Sequence, residues 1–137
     1  MRRAAVVAVA AALAIAGCGG GNDDAAHVRK AVQAYVDAFV RGDDARTCSL
    51  MTARTREQFV RGVRPLAHTD DCATATRAVR AAAGAKAVDA LRNARISDVK
   101  VDGDSASARL TASSGQSIAT LRKEGGEWKV SSTLGSP

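Results

Sequence analysis

The spacing of apolar residues changes once along this chain, near Asn93, and that change limits the folds open to it. Within "HVRKAVQAYVDAFVRGDD", Val28, Val32, Tyr35, Val36, Phe39 and Val40 recur at helical intervals and form one apolar face. Gly42 supplies a stop, and Asp43 or Asp44 an N-cap for the next segment. The stretch "DARTCSLMTARTREQFVRG" reads as two short helices broken near Thr52, with Cys48, Leu50, Met51, Phe59 and Val60 turned inward. Pro65 is expected to interrupt the chain beyond it. The Ala-rich "HTDDCATATRAVRAAAGAKAVDALRNA" is helical again, capped by Asp70 or Asp71, with Cys72 in its first turn and a break at Gly84.

After Asn93 the period becomes two. "ARISDVKV" runs into Asp102-Gly103, a hairpin signal. "DSASARLTA" then places Ala106, Ala108, Leu110 and Ala112 on one face, and "SSGQ" turns the chain. "SIATLRKE" reaches Gly125-Gly126, and "EWKVSSTL" aligns Trp128, Val130, Ser132 and Leu134. Strands joined by tight turns form an antiparallel meander. Helices first and a meander second make an α+β fold in which N-terminal helices cover one sheet face.

The start of the chain has a separate role. Arg2 and Arg3 precede an uncharged run from Ala4 to Ala16 that ends in small residues, the pattern of a secretory signal peptide over 1–17. The run is shorter than the roughly 20 apolar residues of a membrane-spanning helix. Ile15-Ala16-Gly17-Cys18 resembles the bacterial lipobox, which implies diacylglyceryl transfer to the Cys18 thiol and cleavage before it. An ordinary signal peptide with a chance cysteine is the competing reading. On the lipobox reading, residues 18–26 are a lipidated cysteine and a flexible tether, and the protein is anchored to the cell membrane on its extracytoplasmic side.

Export bears on the other cysteines. Cys48 and Cys72 remain once Cys18 is lipidated, and an even remainder in an oxidising compartment reads as one disulfide. The alternative, a pair of metal ligands or a reactive thiol, finds no CxxC and no nearby His cluster. With Arg2 and Arg3 set aside from the 20 Lys and Arg, 18 face 14 Asp and Glu, a formal +4. Aromatics make up 3% of the chain, too few for base-stacking platforms, so nucleic-acid binding is not expected.

"AVQAYVDAFVRGDDARTCSLMT" resembles the first helix and turn of the nuclear transport factor 2-like superfamily, which includes ketosteroid isomerases and SnoaL-like cyclases. The closing "VKVDGDSASARL" and "LRKEGGEWKVSS" resemble its terminal strands. The resemblance implies a domain over 27–134, with a curved antiparallel sheet wrapped on helices as a cone able to hold a small apolar ligand. Tyr35, Phe39, Leu110 and Trp128 are the pocket candidates it implies, and a homodimer through the outer sheet face is an assembly it suggests.

Tyr35 stands where the isomerases place an oxyanion-stabilising tyrosine, a phenol whose buried hydroxyl stabilises a developing enolate. No residue matches their base: Glu57 lies among arginines, and Asp98, Asp102 and Asp104 sit at strand ends or turns. Tyr35 is therefore a weak catalytic candidate and reads first as a core residue. His27 opens the first helix, and His68 precedes Asp70 and Asp71 in a run that reads as a loop and helix cap rather than a metal site. No cofactor is expected. These residues predict a lipid-anchored, non-catalytic domain that binds a small apolar ligand or an envelope protein. An isomerase or cyclase acting on a lipophilic ketone through Tyr35 is the alternative.

Overall fold

Four helices precede four strands in the computed structural model, which describes residues 21–132. The helices are α1 (Gly21–Arg41), α2 (Asp44–Ser49), α3 (Ala53–Ala67) and α4 (Cys72–Arg92). The strands are β1 (Arg95–Asp102), β2 (Ser105–Ala112), β3 (Gly115–Glu124) and β4 (Glu127–Val130). They form one antiparallel meander in the order β1-β2-β3-β4, with helices packed on one face. The expected α+β architecture is the one observed, consistent with a nuclear transport factor 2-like cone. The signal peptide, Cys18 and Leu134 lie outside the described residues.

The core forms where the two periodicities meet. Val28, Val32, Tyr35 and Val36 of α1 lie against Ala106, Ala108 and Leu110 of β2, Ala119 and Leu121 of β3, and Trp128 and Val130 of β4. Ala108 pairs with Ala119 near the middle of the sheet, and these small residues leave room for the larger side chains of α1. Alternate residues of β2, Ser105, Ser107, Arg109 and Thr111, face away from the helices. On that outer face Ile118 is the large apolar side chain left 51% exposed.

Local signals set most boundaries. Gly42 takes φ +78° where α1 ends, and the Asp43 carboxylate accepts the Arg46 N–H at 3.1 Å as the N-cap of α2. Thr52 caps α3, and Asp71 caps α4 by accepting the Thr74 N–H at 2.8 Å. Gly84 breaks the helical path of α4 with φ 80° and ψ 163°. Two expectations need correction. The segment expected to be a flexible tether is helical from Gly21, which puts Asp23 and Asp24 in the first turn of α1. Carboxylates there meet the positive end of the helix dipole, which favours the extra turn. Pro65 does not interrupt the chain but lies inside α3, two residues before its end. Its missing N–H forfeits a single bond there, and the His68 N–H still reaches the Arg64 carbonyl at 2.8 Å.

Long-range ties hold the helices together. Cys48 and Cys72 form a disulfide with Cα atoms 6.1 Å apart, joining α2 to the head of α4. Asp44 is buried in α2 and ion-paired with Arg80 of α4, with the Arg77 Nε at 3.3 Å. The link between α2 and α3 attaches to β4: the Val130 N–H donates to the Leu50 carbonyl at 2.8 Å and the Thr52 N–H to the Val130 carbonyl at 2.9 Å. Glu124, at the end of β3, accepts the Ala53 N–H at 3.0 Å and so satisfies a free donor at the start of α3.

Candidate ligand-binding groove

The expected pocket residues occupy two different settings. Tyr35 is 6% exposed and Leu110 2% exposed, both within the core cluster. Burial alone pushes the Tyr35 hydroxyl up to about 12, with no charged neighbour contributing. Phe39 is half-buried at the edge of α1, with the Arg80 guanidinium carbon 5.8 Å from its ring centroid. Because α1 lies directly on the sheet, packing takes up Tyr35 and Leu110. Of the four residues, only Trp128 lines an open groove beside the β3–β4 hairpin.

That groove holds about 720 Å³ and lies between the N-terminal half of α1, the end of α2 and the hairpin. Asp24, His27 and Lys30 of α1 form one wall, and Arg46, Lys123 and Trp128 contribute from the other elements. The hairpin sets the geometry. Gly125 and Gly126 take φ 61° and 80°, a two-residue turn that pairs Lys123 with Trp128 across the strands. Both then face α1. The Trp128 indole N–H donates to Asp24 Oδ1 at 3.4 Å, and Lys123 Nζ lies 3.2 Å from the same oxygen. Lys123 Nζ also stands 5.1 Å from the indole centroid, a cation–π arrangement.

Electrostatics favour acidic partners. The hydrogen bond from Lys123 holds the Asp24 carboxyl below the usual carboxylate range, against a smaller opposing effect of burial. Lys30, Arg46, Lys123 and Lys129 line the groove against Asp24 and Glu127. Asp24 engages Lys123 and Glu124 engages Lys129, while Lys30 and Arg46 make no ion pair among the described residues. Trp128 is the one groove residue among the expected pocket residues; Asp24, Lys30, Arg46 and Lys123 escape the sequence reading. The Gly125-Gly126 turn was the available signal, since it fixes Lys123 opposite Trp128.

The remaining candidates lie at exposed positions, in helix caps or in surface ion pairs. His27 is exposed on α1, and His68 caps α3 in a left-handed conformation with φ 48°. Asp70 pairs with Arg64, and Asp71 caps α4. Asp98 pairs with Arg109 at 2.7 Å on the outer sheet face, and Glu57 is exposed. Among the described residues, no group of three His, Cys, Asp or Glu could hold a metal ion, and no helix is long and apolar enough to cross a membrane.

A family model described as "Putative lumazine-binding" matches residues 23–134. The chain belongs to this family. The lumazine-binding family is SnoaL-like and nuclear transport factor 2-like, in agreement with the observed sheet and helices. The match begins at Asp23, inside the first turn of α1, so it takes in the groove residues of that helix. No curated protein and no solved structure matches the chain at a significant level.

Proposed function

We propose that this lumazine-binding-family chain is a non-catalytic small-ligand-binding domain, held on the extracytoplasmic side of the cell membrane by acyl chains on Cys18. The observation that carries the ligand reading is the groove at Trp128. Its volume of about 720 Å³ falls in the range of small-molecule sites, and an oriented indole and several cations converge on it. The ligand class suggested by the family is a planar heteroaromatic of the lumazine type, whose carbonyl oxygens suit a groove lined by cationic side chains. Enclosure of Tyr35 supports the non-catalytic part, since no described carboxylate or histidine hydrogen-bonds its hydroxyl. An enolising reaction needs, besides that donor, a carboxylate or imidazole base facing the substrate carbon.

Two measurements test this reading. Titration of the full chain with lumazine should quench the fluorescence of Trp128, the single tryptophan, in a saturable way. Ala34→Phe, which fills the groove from the half-exposed side of α1, should abolish that response. Absence of saturable quenching, together with no bound molecule in native mass spectrometry, would replace ligand binding with an interaction role toward an envelope protein. Separately, fatty-acid labelling should be lost in Cys18→Ser, and retained labelling would remove the lipobox assignment.

A further inference from the structure

We infer that Lys30 and Arg46 dock the groove end of the molecule against anionic phospholipid headgroups, so that the groove opens toward the bilayer surface. The inference rests on the proposed anchor at Cys18 and adds to it an orientation. Cys18 precedes the first helical residue, Gly21, by three positions, a reach of roughly 10 Å at about 3.5 Å per residue. Lys30 lies nine residues into α1, about 13 Å further along the axis at 1.5 Å per residue. Chain length therefore bounds the distance of Lys30 from the anchor, and its height above the surface depends on the tilt of α1. If α1 stood upright, Lys30 would sit beyond the Debye length of about 8 Å. If α1 tilts toward the surface, Lys30 and the cations beside it come within that range.

The charge arrangement favours the tilted orientation. Lys30 and Arg46 project from separate elements onto one groove and have no ion-pair partner among the described residues. The groove's carboxylate nearest the tether, Asp24, is already engaged by Lys123 and the Trp128 indole. These two cations outnumber Glu127, the single groove carboxylate without an ion pair among the described residues. They meet the negative surface potential of anionic lipids, each contributing about a fivefold factor to docking. Arg29, on the same helix, points elsewhere, to the Ile96 carbonyl at the start of the sheet.

Energy transfer tests this orientation. The full acylated protein would be reconstituted in phosphatidylcholine vesicles, with and without phosphatidylglycerol, carrying a dansyl acceptor on the headgroups. Trp128 is the only tryptophan donor. Transfer should rise with phosphatidylglycerol, fall with added salt, and return to the neutral-vesicle level in Lys30→Gln/Arg46→Gln, a docking loss of roughly 25-fold. Arg61→Gln, an exposed cation on α3, serves as control and should leave transfer unchanged. Equal transfer on both vesicles, or an equal loss in the Arg61 control, would overturn the docking face. Protein that fails to stay on neutral vesicles identifies a failed anchor instead, so the two readings separate.

Discussion

Asp44 and Arg80 stand 36 residues apart in sequence and form an ion pair whose carboxylate is 6% exposed. The pair fastens α2 to α4 close to the disulfide. Removal of one partner leaves a buried charge without its counterion, which costs about 3–5 kcal/mol. Arg80 keeps 18% of its side-chain surface, so the lower end of that range applies. Asp44→Ala should cost about 3 kcal/mol of stability, read as a lower urea midpoint at unchanged slope. Adding Arg80→Met should recover part of the loss. A change within measurement error in Asp44→Ala would show the pair to be energetically idle.

Acid stability depends on the same carboxylate. The hydrogen bond from Arg80 holds Asp44 below the ordinary carboxylate range, and Thr74 does the same for Asp71. A depressed folded pKa gives stability that is present above the unfolded value, about 3.9, and is lost as pH falls through the folded value. Unfolding free energy should thus be level above about pH 5 and decline progressively below pH 4. Asp44→Asn should flatten that decline. An unaltered acid limb in the variant would assign the effect elsewhere.

At the alkaline end Tyr35 sets the expectation. Its hydroxyl is raised by burial to about 12, against about 10 in an unfolded chain. The unfolded state releases its proton first, so stability contributed by this group is intact below about pH 10 and falls as pH rises toward 12. Ultraviolet titration of the single tyrosine should show the late midpoint. Tyr35→Phe should remove the slope and leave lumazine binding unchanged. Loss of binding in that variant would return Tyr35 to the ligand site.

The disulfide closes a loop of sequence separation 24, worth about 3 kcal/mol in the chain-entropy model. Reduction should lower the unfolding midpoint accordingly. Cys48→Ala and Cys72→Ala should each cost a similar amount, and the double variant little more than either. Additive losses would mean that the two side chains act separately.

Gly42 offers an independent check on the α1–α2 corner. Its φ of +78° disfavours any side chain, and an added Cβ would lie 3.3 Å from Arg80 Nη2. Gly42→Ala should cost about 1–2 kcal/mol. Combined with Arg80→Met, the cost should fall below the sum, since one obstacle has been removed. Strict additivity would locate the strain in the backbone alone.

How far the sequence could be read depended on the range of each interaction. The α1 stripe, an aspartate cap at 43 or 44 and at 70 or 71, the break near Thr52, the Gly84 break and the hairpins obey rules that act within a few residues, and they were legible; that Thr52 itself caps α3 was not. The cysteine pair was legible because parity, on the expectation of export and of a lipidated Cys18, left one combination. Burial of Asp44 was not, because an N-terminal aspartate looks the same whether it faces water or an arginine on a distant helix. The groove was hidden for a related reason. Asp24 and Trp128 meet across 104 positions, and no local pattern announces that meeting.

The attachment of Met51 to β4 also bears on how crowded copies behave. β4 is a four-residue strand at one margin of the sheet, and its peptide groups at Val130 are already engaged by Leu50 and Thr52. The opposite margin, β1, is irregular between Ser97 and Lys100, where Asp98 takes φ 49°. A straight run of unpaired peptide groups is the template on which sheets extend from one molecule to the next, and covering or kinking it blocks that growth. Both margins of this sheet are interrupted in one of those ways. A neighbouring copy therefore meets a short, partly covered edge on one side and a bent one on the other, rather than a long straight strand to extend.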